Sequence, residues 1–259
     1  IVGAFAFSWK DVAMEILGAL IAGSFIGAVL GFVGAGGAML AVPILIYGFG
    51  FDPNEATTAA IAVVFLAAAS GVIPKARKKQ VLYRDALVIW AFGLITNLGF
   101  SSIADKLPDA FITSGLAAVL VVAGASMLRP PKLEEQKRMP IPVLIVMSLV
   151  IGSITGLFGI GGGFIALPVL VLFFGTPQVV AAGTALFIIC INSLTAFLGR
   201  PGQWGDVQWH IPIFIGAAAI VVAQIASSQA HRTDPKVLRA SFAYLLFALA
   251  TFTVIKTWI

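Results

Sequence analysis

Residues 27–45 read GAVLGFVGAGGAMLAVPIL, and residues 152–170 read GSITGLFGIGGGFIALPVL. At an offset of 125 the two windows agree at eight of nineteen positions. Gly27, Gly31, Gly34, Gly36, Gly37, Ala41, Pro43 and Leu45 match Gly152, Gly156, Gly159, Gly161, Gly162, Ala166, Pro168 and Leu170. Each window places a glycine cluster between two apolar runs, and Gly50 and Gly175 close the second run in both copies. Glycine inside a helix costs about 1 kcal/mol relative to alanine. The clusters at Gly34–Gly37 and Gly159–Gly163 therefore predict interruptions rather than continuous helix.

The surrounding chain sets the solvent. Hydrophobic residues are 60% of the 259 and charged residues 10%, where a soluble domain carries about a quarter charged. Apolar runs near bilayer-crossing length recur at 12–33, 57–73, 86–104, 110–128, 141–158, 179–198, 211–229 and 237–255, with shorter runs at 38–50 and 164–175 after the glycine clusters. These features predict an all-α polytopic membrane protein. The opening IVGAFAF is too short to span and lacks the basic region of a signal peptide. Cys190 is alone within an apolar run, which excludes an intrachain disulfide.

The duplication extends beyond the glycine windows. Each is followed by a span of small residues, a connector and two more spans, and RPPKLEEQKRMP separates the two sets. The expected organisation is a first repeat over 1–128, a cytoplasmic connector at 129–140 and a second repeat over 141–259, each of four to five helical segments. Lysine and arginine collect in cytoplasmic connectors, and here they reverse between equivalent positions. Lys75, Arg77, Lys78, Lys79 and Arg84 face a counterpart connector holding Arg200 alone, whereas Lys106 alone faces Arg232, Lys236 and Arg239. With the connectors near 75–84, 129–138 and 232–239 inside, twelve of the sixteen basic residues are cytoplasmic and both termini are outside. Opposite bias at equivalent positions predicts an inverted repeat. The parity of crossings then requires the short segment beside each glycine cluster to cross or to dip in and return.

A helix that restarts inside a membrane presents free N–H groups and a partial positive charge, an anion site that needs no lysine. Two such ends related by inversion are the layout of repeat-built secondary transporters. The expected substrate-binding backbone is Gly34, Gly36 and Gly37 with Gly159, Gly161, Gly162 and Gly163, while Pro43 and Pro168 kink or start the helix that follows. Gly27/Gly31 and Gly152/Gly156 have the small-xxx-small spacing of helix contacts. Mid-span polar residues that could flank an anion are Thr58 and Thr184, Asn97 and Gln224, which pair across the repeat, and Asn192; each could equally be interhelical glue. A dinucleotide loop is excluded because no strand precedes the glycines. One cysteine, two distant histidines and no mid-span carboxylate leave no metal site and no catalytic set, so neither an enzyme nor a cofactor is expected. The net charge of +5 lies in connectors and signals orientation rather than nucleic-acid binding.

GFVGAGGAMLAVPIL and GLFGIGGGFIALPVL, each followed by a threonine-bearing small-residue span and then by VLYRDAL or VQWHIPI, resemble the TauE/SafE family of membrane transporters over essentially the whole chain. The resemblance implies a bacterial inner-membrane permease for small sulfur oxyanions or organosulfonates, with sulfite export the leading activity. It carries the family's glycine-proline motifs onto Gly34, Gly36, Gly37 and Pro43, and onto Gly159, Gly161, Gly162 and Pro168. EATTAAI departs from the form that AGTAL keeps, which weakens the role of Thr58 relative to Thr184. Thiosulfate, sulfate or an organosulfonate are the alternative cargoes, and an anion channel is the alternative mechanism.

Overall fold

In hydrocarbon every backbone N–H and C=O has to be bonded within the protein, and an apolar run achieves this alone only as a helix. The computed structural model describes residues 9–104, 107–128, 140–158 and 163–258, and it has no strand among them. In chain order the helices are α1 (Trp9–Val33), α2 (Gly37–Pro43), α3 (Pro53–Arg77), α4 (Tyr83–Ala104), α5 (Asp109–Leu128), α6 (Ile141–Phe158), α7 (Gly163–Leu172), α8 (Gln178–Leu198), α9 (His210–Gln229) and α10 (Pro235–Trp258). α2 passes directly into a π-turn, Ile44–Gly48. Among the described residues, six helices are long and apolar enough to cross a membrane. The protein is an all-α polytopic membrane protein.

Five helices fall on each side of residues 129–139, in the same order. α3 starts at Pro53 and α8 at Gln178, which is the 125-residue offset of the glycine windows (178 − 53). The likeness reaches the ends of the short helices. Phe51 N–H bonds Leu45 O at 3.1 Å, and Thr176 N–H bonds Leu170 O at 3.0 Å. These bonds close over Gly50 and Gly175, at φ 72° and 59°, the left-handed glycine that commonly terminates a helix.

Contacts along the helices give their directions. Gly23, Gly27 and Gly31 of α1 face Ile215, Ala219 and Ala223 of α9 in that order, so these helices run parallel. Gly93 of α4 faces Ser148 of α6, and Asn97 faces Gly156, so these too are parallel. α3 is parallel to α9: Glu55 accepts from Gln208 N–H, Ser70 Oγ donates to Ile220 O, and Lys78 Nζ donates to Ser228 O. α3 and α8 are antiparallel, because Thr58 meets Gln203 while the Lys75 stem meets Gly183. α4 is parallel to α8 through Leu82–Thr184 and Trp90–Thr195. Thus α1, α3 and α9 point one way and α4, α6 and α8 the other. The 78–82 connector and the turn Ala230–Arg232 share one end, where Lys78 Nζ lies 2.7 Å from His231 Nδ1.

The α1–α9 and α4–α6 pairs are the closest. A Cβ on Gly27 would lie 2.6 Å from Ala219 O, and one on Gly31 2.5 Å from Ala223 O. A Cβ on Gly156 would lie 2.5 Å from Asn97 O, and one on Gly152 would collide with Gly93 O and Thr96 Oγ1. The small-xxx-small glycines are therefore contact surfaces, as their spacing predicts. Hydroxyls bond between helices as well: Thr96 Oγ1 donates to Leu149 O at 3.0 Å across α4–α6, and Ser227 Oγ to Gly71 O at 2.5 Å across α3–α9.

Gly152→Leu should destabilise the protein by about 1–3 kcal/mol or more, as overpacking does, with a lower melting temperature in detergent. Gly99→Leu, where a Cβ meets nothing within 4 Å, should melt like the parent.

Candidate functional site

The first glycine cluster is a chain reversal. Gly34 N–H still bonds Leu30 O at 2.9 Å, so α1 ends there. Gly34 and Gly36 then take φ of 83° and 88°, which side-chain-bearing residues seldom adopt. α2 begins beside Ile26 and Leu30, and the chain runs back along α1 until the Phe49 ring lies 3.7 Å from where a Cβ on Gly18 would be. α1 and the π-turn flank a cleft lined by Met14, Gly18, Ile21, Phe25, Ile44 and Phe49. The short segment therefore folds back against α1 instead of prolonging it.

Space reinforces the dihedral demand. A Cβ on Gly34 would sit 2.5 Å from Ala182 Cα of α8, one on Gly36 2.8 Å from Leu245 Cδ2 of α10, and one on Gly37 2.5 Å from Leu30 Cγ. All three glycines are buried. In this conformation they serve the reversal and its packing. Gly159, Gly161 and Gly162 lie outside the described residues. Gly163 opens α7 and packs against Ile189, about half-way along α8, whose Cδ1 would lie 2.9 Å from its Cβ. Pro43 and Pro168 lie inside α2 and α7, not at their starts. Pro43 stands where α2 gives way to the π-turn, and proline removes one backbone donor from the ladder.

The polar residues nominated by sequence do not form one cluster. Thr58 Oγ1 bonds Asn54 O at 3.1 Å and Gln203 Oε1 at 3.0 Å, at one end of the α3–α8 pair. Thr184 Oγ1 donates to Val180 O at 2.8 Å and accepts from Leu82 N–H at 3.1 Å, at the other end. Both are buried. Asn97 lies on the α4–α6 contact, with Nδ2 3.5 Å from Thr155 Oγ1. Gln224 is exposed on α9. It sits 127 residues after Asn97, two beyond the repeat offset, and two residues turn a helix by about 200°, so the pair faces different ways. Asn192 is half-buried, one turn after Ile189.

One residue escaped the sequence reading. Lys75 is expected in a solvated connector, with Arg77, Lys78, Lys79 and Arg84. α3 instead continues through Pro74 to Arg77, and Lys75 is 1% exposed. The available signal was GVIPKARKK itself: four apolar or small residues before the lysine leave room for one more turn of membrane helix.

The chain matches the family described as sulfite exporter TauE/SafE over residues 19–253. It is 27% identical to a "Probable membrane transporter protein" of Xylella fastidiosa across 91% of this chain and 94% of that one. A "Probable membrane transporter protein" of Methanocaldococcus jannaschii is 32% identical over 47% of each chain. Another, from Sinorhizobium fredii, is 28% identical across 74% of this chain and 78% of the relative.

Thr184→Val keeps the side-chain shape and strips Leu82 N–H of its acceptor. The expected cost is about 1–3 kcal/mol, read as a lower melting temperature in detergent, with Thr184→Ser close to the parent.

Proposed function

The chain belongs to the sulfite exporter TauE/SafE family, and from that membership we propose that it is a secondary transporter exporting sulfite across the bacterial inner membrane. That it is a multi-pass membrane transporter follows from the family and from six bilayer-length helices. The observation that carries the finer reading is the repeated pattern of a long helix, a glycine cluster in the sequence and a short apolar helix, Gly37–Gly48 or Gly163–Leu172. Non-helical backbone at membrane depth is tolerated where it is buried in protein or lines a cavity. Discontinuous helices of this kind bind substrate in repeat-built transporters.

The halves work as inverted repeats over 1–128 and 141–259. Counterparts α3 and α8 running antiparallel support this reading, as does the reversal of basic residues between equivalent connectors. The end shared by the 78–82 connector and Ala230–Arg232 is cytoplasmic, and both termini lie outside. Substrate meets backbone N–H groups at the starts of the short helices, around Gly36, Gly37, Gly161, Gly162 and Gly163, with Asn192 nearby on α8. Thr58 and Thr184, at opposite ends of the α3–α8 pair, border the two openings in turn as one half moves against the other.

Two measurements test this. In proteoliposomes, labelled sulfite should enter saturably and faster when unlabelled sulfite is inside. Flux that rises linearly with concentration and shows no counterflow would mean a channel, and the absence of sulfite flux would remove the assignment of cargo. In a Cys190→Ser background, a membrane-impermeant maleimide applied to whole cells should label Gly205→Cys and spare Arg232→Cys. The reverse pattern would invert the proposed orientation.

A further inference from the structure

Two buried polar side chains lie at the 78–82 end of the α3–α8 pair without any hydrogen-bond partner among the described residues. They are Lys75, 1% exposed, whose Nζ is unbonded, and Gln178, 5% exposed, whose Nε2 and Oε1 are both unbonded. The Lys75 stem lies against α8, with Cδ 3.3 Å from where a Cβ on Gly183 would be. Gln178 is the first residue of α8, five residues earlier and about 7.5 Å along its axis. Between them Ala182 carries the Gly34 reversal. Gln178 stands one turn before Ala182 and Lys75 lies against Gly183, so both orphaned groups border the first turns of α8.

A buried ammonium without an acceptor is among the costliest things a fold can hold, and a buried amide unbonded at both atoms adds to that. Replacing both by apolar residues would relieve the cost, so their joint presence asks for a third party. The ammonium supplies three donors and a positive charge; the amide supplies two donors and one acceptor. A fully deprotonated oxyanion satisfies the donors and leaves Gln178 Oε1 unbonded. A monovalent oxyanion that keeps one hydroxyl satisfies both kinds of group.

We propose that Lys75 and Gln178 form an anion-binding site at this end of the α3–α8 pair, selective for a monovalent, protonated oxyanion, of which hydrogensulfite is the one this protein carries. The existence of the site rests on the two side chains; naming the anion rests on the sulfite-export reading. The site lies at the end assigned above to the cytoplasm, where an exported anion enters, and Lys75 supplies the charge that helix ends alone provide only in part. Gly183 is required here, because a side chain would press on the Lys75 stem and on Gln80 O.

The full chain in lipid nanodiscs is titrated separately with sodium sulfite at a pH where hydrogensulfite is abundant, with sodium sulfate and with sodium chloride, and melting temperature is followed. Wild type should be stabilised saturably by sulfite and at least tenfold less effectively by sulfate. Lys75→Met and Gln178→Leu should each raise the half-saturating sulfite concentration at least tenfold, with Lys75→Arg between them and wild type. Each variant swaps a buried polar group for an apolar chain of similar volume, so assembly is expected. Variants that titrate like wild type would overturn the site and leave sulfite transport standing. A wild type that responds to chloride or sulfate but not to sulfite, with the response lost in both variants, would keep an anion site at these side chains but overturn its selectivity and remove sulfite as cargo. No response of wild type to any of the three anions would overturn the site.

Discussion

Backbone touches backbone where α1 meets α9 and where α4 meets α6, and the rest of the fold hangs on those two seams. Lipid removes the hydrophobic drive for helices to associate, so cohesion depends on close packing and on hydrogen bonds between helices. Gly27 and Gly31 on one seam, and Gly152 and Gly156 on the other, bring a facing carbonyl to within the reach of a single missing methyl. Both seams join the first half of the chain to the second.

The reversal after α1 uses glycine for a second purpose. Gly34 and Gly36 supply left-handed dihedrals, and Gly37 supplies room. The result is a short helical segment lying back along α1, ended by a second left-handed glycine at Gly50. α7 repeats the device at its own end, with Gly175 and the Thr176–Leu170 bond. Short helices pinned by glycine at the end are elements whose position packing decides more than propensity.

Around α8 the packing and the chemistry meet. Its first turns carry Gln178, Ala182 against Gly34, Gly183 against Lys75, and Thr184 bonded to Leu82 N–H. Its middle carries Ile189 against Gly163. One helix thus touches the reversal of the first half, the short helix of the second, and a lysine from α3. Because α3 and α8 are antiparallel, Thr58 near the start of α3 and Thr184 near the start of α8 sit at opposite ends of the pair.

Hydropathy and glycine spacing were enough to locate the helical segments and the helix-contact role of Gly27, Gly31, Gly152 and Gly156, because burial in lipid and close approach are demands that each segment meets by itself. Membership of the family was legible for the same reason, since GFVGAGGAMLAVPIL and GLFGIGGGFIALPVL are local signatures. Which polar residues share a neighbourhood was not legible. A two-residue shift in register sends Gln224 to the exposed face while Asn97 stays on the α4–α6 contact, and antiparallel packing separates Thr58 from Thr184. Lys75 was hidden among the basic residues of the 75–84 connector, where a lysine reads as solvated. The sequence by itself determined what each segment must be; only the packing of α3 against α8, a contact between residues more than a hundred positions apart, decided which polar side chains are buried and left without partners.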